Sequence, residues 1–96
     1  MNIGNAIKKI RTGKSLTQGD LSRMTIISQT SISQIEKGVK RPSQKNLQKI
    51  CRALEVPETI VYFYGLEASD VPRNKKKLYS FVYPAIEEMV KKLIVD

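Results

Sequence analysis

Two apolar quartets constrain this chain more than anything else in it. Ile3, Ala6, Ile7 and Ile10 recur at i, i+3, i+4 and i+7, and Leu47, Ile50, Cys51 and Leu54 repeat that spacing. This period lays four side chains along one face of a helix. It predicts a helix over 2–14 and another that Ser43 caps and that runs through Leu54. Lys8, Lys9, Arg11 and Lys14 fall mainly off the first apolar face. Cys51 lies on the apolar stripe of its helix, so it reads as core rather than as a reactive thiol.

The residues between the quartets carry start and stop signals. Thr17 with Asp20 three residues later is an acidic capping box. It starts a short helix through about Met24, with Leu21 and Met24 inward. Ser28 then caps a helix over 28–37, and Gly38 ends it as a C′ residue. At 100° per residue, Ile32 and Ile35 fall on one side. Gln29, Thr30, Ser33, Gln34 and Lys37 gather on the other. The apolar pair docks this helix, and the polar stripe is what it displays. Pro57 and Glu58 introduce a fifth helix over about 58–64, carrying Ile60, Val61 and Phe63, with the Val61–Tyr64 run read as core.

Charge narrows the partner. Residues 1–54 hold eleven Lys and Arg against Asp20 and Glu36, which is +9. Residues 55–96 hold six against seven acids, which is −1, so the net +8 belongs to the first half. That is the footprint of a polyanion-binding surface. The chain has no His, which removes the commonest general base and the commonest metal ligand. With one Cys there is no thiol dyad, and no glycine-rich phosphate loop is present. Neither an enzyme, a cofactor, a metal nor a small-molecule ligand is expected.

Compartment follows from similar reasoning. Cys51 alone forms no internal disulfide, which suits the cytoplasm. The opening MNIGNAIKKI lacks the apolar stretch of a signal peptide. The run IVYFYGL is far shorter than the ~20 residues that span a bilayer, and no membrane partner is expected.

Residues 67–74 read as a linker. Beyond it, Leu78, Phe81, Val82, Ala85, Ile86, Met89, Val90, Leu93 and Ile94 follow helical steps of three and four. Pro84 interrupts them, which predicts either one kinked helix or two joined near Tyr83–Pro84. Nine apolar residues need cover: a second copy of the chain, the first domain, or another protein. The expectation is a homodimer interface of Leu78, Phe81, Val82, Ile86, Met89, Val90 and Leu93. The basic run 74–77 either touches the polyanion, flanks the linker, or is a solvated run at a helix start.

The fold class is therefore all-α, with five short helices in residues 1–66 and a helical segment in 67–96. The stretch LTQGDLSRMTIISQTSISQIEKG, followed by KRPS and LQKICRALEVP, resembles the helix-turn-helix repressors of the XRE/Cro type found in lambdoid phages. The resemblance covers residues 3–64. It implies that the third helix enters the major groove of double-stranded DNA. Gln29, Thr30 and Gln34 would then touch base edges, with Ser31 and Ser33 as lesser candidates. A glutamine amide matches the donor–acceptor pair of adenine, and a threonine methyl can meet that of thymine. Lys37, Lys40, Arg41 and Lys45 would hold phosphates. Gln18 is placed for a phosphate or for bracing Gln29. The family also implies a structural ion pair between Arg11 and Glu36. One departure stands out: the turn before the third helix usually holds Gly, and here it holds Ile26. Either that turn is rebuilt, or strain is tolerated to bury Ile26. The implied function is a sequence-specific transcriptional regulator, a repressor acting as a homodimer. The alternative is an antitoxin whose C-terminal segment grips a protein partner.

Overall fold

The computed structural model describes residues 1–95; Asp96, the end of the 67–96 segment, lies outside the described residues. Six α-helices and no strands occur among them: α1 (Ile3–Gly13), α2 (Gln18–Thr25), α3 (Gln29–Glu36), α4 (Gln44–Leu54), α5 (Glu58–Tyr64) and α6 (Lys76–Val95). Two 3₁₀ turns, Ala68–Asp70 and Arg73–Lys75, occupy the linker. Among the described residues no helix is long and apolar enough to cross a membrane.

The starts of α2, α3 and α4 are set by side chains. Thr17 Oγ1 accepts from Asp20 N–H at 3.0 Å and Asp20 Oδ2 accepts from Thr17 N–H at 2.8 Å, so both bonds of the capping box form. Ser28 and Ser43 cap α3 and α4 by accepting from Ser31 and Asn46 N–H, each at 3.1 Å. These bonds satisfy amides that a helix leaves open at its first turn.

Both apolar quartets enter one core, joined by Leu21, Ile27, Ile32, Ile35, Val61 and Tyr64. Close approach has a local cause at Gly4: a Cβ there would lie 2.0 Å from the Ile35 carbonyl oxygen. The missing side chain lets α1 press against the end of α3, which fixes how α3 stands on the core. Cys51 is buried in this core, and desolvation pushes its thiol up to about 11.

Three expectations need correction. Met24 is 51% exposed; the buried residues of α2 are Leu21 and Thr25, four apart on one side of the helix, and Met24 lies beside that side rather than on it. Phe63 and Tyr62 are exposed, while Val61 and Tyr64 are buried, so α5 shows the core only one side. Ile26 does adopt the left-handed conformation, with φ 59° and ψ 28°, yet it is 91% exposed. Burial does not explain it; the next residue, Ile27, takes the core position. The turn is held from both sides instead. Ser22 Oγ donates to the Ile27 carbonyl, and Thr25 Oγ1 accepts from Ile27 N–H at 3.3 Å.

Pro84 lies inside α6, which runs through it as one helix. Ser80, whose carbonyl loses its usual donor, is exposed, as is Pro84 itself, so water can serve that carbonyl. Val90 and Ile94 are buried in the same core as α1, and Ile86 packs against it. Tyr79 Oη donates to the Leu66 carbonyl and Tyr83 Oη to the Tyr64 carbonyl, both at 3.1 Å. Val90 and Ile86 therefore face their own chain rather than the open side of the helix. Leu78, Phe81, Val82, Met89 and Leu93 are exposed on that side.

Candidate nucleic-acid interface

The surface of interest is built on α3. Ile32 and Ile35 are each 1% exposed, and burying such side chains contributes roughly 1.5–3 kcal/mol apiece. They hold the helix so that its other side stays open. Gln29, Thr30, Gln34 and Lys37 are exposed and Ser33 is half-buried. A shallow groove runs along this side, lined by Gln18, Gln29, Thr30, Ser33, Gln34, Lys37 and Val39. Four of the five expected base-contacting residues thus share one groove. Ser31 does not line it, and its backbone amide serves the cap.

The expected phosphate-contacting residues divide. Lys37 borders the groove. Lys40 and Arg41 line a separate depression beside Met1, Asn2, Gly38 and Pro42, at the start of α1. Lys45 is exposed on the first turn of α4. Lys37, Lys40 and Arg41 are cations at the end of α3 rather than on it, and Lys45 belongs to α4.

Beneath the groove lies a buried charge network. Arg11 Nε donates to Glu36 Oε2 at 2.7 Å and Arg11 Nη2 to Glu36 Oε1 at 3.0 Å. The remaining guanidinium arm reaches the Leu16 carbonyl at 2.6 Å. Gln18 Nε2 also donates to Glu36 Oε1, at 3.0 Å. So Gln18 is tied to Glu36, and of its amide hydrogens one stays free for an outside acceptor. Glu36 joins α1, α2 and α3 at one point. Among the described residues no buried side-chain polar atom lacks a partner, which is what such a network needs to hold its helices in place.

Sequence reasoning missed Val39 in the groove. The signal was an apolar residue directly after the helix-ending Gly38, on a loop otherwise basic. It also missed Tyr79 and Tyr83, whose hydroxyls fasten α6; their spacing of four on α6 was the available clue.

The groove has the chemistry to read a polar, patterned surface. Its amides present donors and acceptors on flat groups, Lys37 adds a cation at its edge, and among the described residues no group of three or more metal-ligating side chains is found. Comparison with known proteins agrees with that assessment. The HTH-type transcriptional activator BcrR of Enterococcus faecalis is 28% identical over 96 residues, covering 93% of this chain and 46% of that protein. The chain thus spans about half the length of this curated relative. The helix-turn-helix family model matches residues 7–61, from the middle of α1 into α5. With more than half of its residues so matched, and with the α2–turn–α3 unit at its centre, the chain belongs to the XRE-type helix-turn-helix family of DNA-binding transcription regulators.

Proposed function

We propose that this protein reads double-stranded DNA sequence-specifically as a homodimer, with α3 in the major groove, and so regulates transcription. One observation carries the reading: Gln29, Thr30, Ser33 and Gln34 line a single open groove above a buried apolar anchor. In this reading Gln29, Thr30 and Gln34 contact base edges, with Ser33 and Ser31 secondary. Lys37, Lys40, Arg41 and Lys45 hold phosphates, and Gln18 offers its free amide hydrogen to another.

Residues 1–66 do the reading and 67–96 the pairing. One helix-turn-helix unit covers one half-site, and a symmetric pair covers two about 34 Å apart. Leu78, Phe81, Val82, Met89 and Leu93 form the open stripe that a second copy would cover. The protein works in the cytoplasm and needs no cofactor or catalytic chemistry. The sign of regulation follows operator position. A site overlapping a promoter gives repression, the outcome expected from the sequence, and a site upstream gives activation, as in the relative's name.

A second reading uses the same stripe. In an antitoxin, α6 would grip a toxin in place of its twin, and the neighbouring open reading frame discriminates between the two.

Selection of the purified protein on random duplex DNA at near-physiological salt tests the main reading. The expected result is an enriched inverted repeat with half-sites about 10–11 base pairs apart. Salt-sensitive background binding without enrichment would sink it.

A further inference from the structure

α3 closes with a Schellman motif. Gly38 takes φ +77° and donates its N–H to the Ile35 carbonyl at 3.1 Å, while Val39 N–H donates to the Gln34 carbonyl at 3.0 Å. In this motif an apolar residue after the glycine ordinarily lies on the helix one turn back. Here those positions are Gln34 and Ser33, both polar and both in the groove. Val39 has no apolar seat on its own chain and stands 75% exposed. It is nonetheless held in place. The Gln34 carbonyl that anchors it also accepts from Lys40 N–H at 3.2 Å. The valine is branched at Cβ and so is stiff at χ1.

A stiff apolar group thus stands among hydrogen-bonding side chains, on a surface otherwise made for polar contact. The apolar group that the major groove of DNA displays is the thymine C5 methyl. We propose that Val39 is a specificity residue that packs on a thymine methyl beside the base pair read by Gln34. This rests on the placement of α3 in the major groove.

The test uses the duplex selected by the full chain. Each thymine of a half-site is replaced in turn by uracil, which removes only the methyl. Binding is then measured for wild type, Val39→Ala and the near-isosteric Val39→Thr. At one position uracil should weaken wild type about three- to tenfold, as expected for one desolvated methyl contact. It should cost Val39→Ala nothing further, and Val39→Thr should fall between. Val39→Ala should lose thymine preference at that position alone on reselection.

The proposal is overturned if no uracil position couples to Val39, or if the half-site contains no thymine. It is equally overturned if Val39→Ala weakens selected and random duplexes alike, which marks a backbone contact. Failure of the underlying reading looks different: wild type then shows no preference for any duplex at all.

Discussion

At the scale of single residues, the base-reading and charge-holding roles proposed for these side chains should separate experimentally. Gln29→Ala is expected to cost ~1–3 kcal/mol of specific binding and to relax preference at one base pair. Arg41→Ala should weaken all sequences alike and shallow the salt dependence by about one unit. Titrations of selected and random duplexes at several salt concentrations distinguish the two. Ile26 offers a test of stability instead. It holds a left-handed backbone that costs a branched residue ~1–2 kcal/mol, and at 91% exposed it recovers nothing by burial. Asn tolerates that conformation, so Ile26→Asn should raise stability by about 1 kcal/mol in urea unfolding.

At the scale of elements, Glu36 is the joint of the three helices that make the site. Glu36→Ala leaves Arg11 buried without its partner and should destabilise the protein by about 3–5 kcal/mol. Replacing both, as Arg11→Met with Glu36→Leu, should recover much of that loss, because neither charge then remains buried alone. A double-mutant cycle by chemical denaturation measures the coupling. Such a variant should still bind DNA worse than wild type, since Gln18 also loses its acceptor. The start of α2 responds to pH. Hydrogen bonds from Thr17, with Arg23 nearby, hold the Asp20 carboxyl below its ordinary value. Its stabilising effect is therefore full above the unfolded-state value near 3.9 and is lost as pH falls through the lower folded value. Asp20→Asn should flatten that part of an acid-unfolding curve followed by circular dichroism.

At the scale of the whole molecule, α6 has two sides with different work. Val90 and Ile94 complete the core, and the Tyr79 and Tyr83 hydroxyls lock the helix to the end of α5. The opposite stripe, with Phe81 84% exposed and Met89 60% exposed, touches nothing on its own chain that hides it. Phe81→Asp and Met89→Lys should therefore keep the helical signal near wild type and, on the proposed pairing, give a monomer in analytical ultracentrifugation whose melting temperature no longer rises with protein concentration. Val90→Asp should unfold the protein instead. If the Phe81 and Met89 variants keep the oligomeric state of wild type, the pairing role of this stripe is wrong.

Much of this protein is legible in its residues alone. Helix periods, the Thr17–Asp20 box, the Ser28 and Ser43 caps and Gly38 are local devices. They work through bonds spanning three or four positions, so the sequence by itself determines where α2, α3 and α4 begin and where α3 ends. The same locality places Gln29, Thr30 and Gln34 on one side of α3. Other features depend on partners far along the chain. Whether Met24 or Phe63 is buried turns on how α2 and α5 rotate against α1 and α4. That α6 continues through Pro84, with Val90 and Ile94 in the core and two tyrosine hydroxyls bonded to Tyr64 and Leu66, is also not local to the proline. Gln18 turning to Glu36, and Val39 standing open beside Gln34, are likewise outcomes of packing. Helical periodicity reports which residues share a side of their own helix. Only the tertiary structure decides which neighbour, or which empty groove, that side meets, because that depends on contacts between residues distant in sequence.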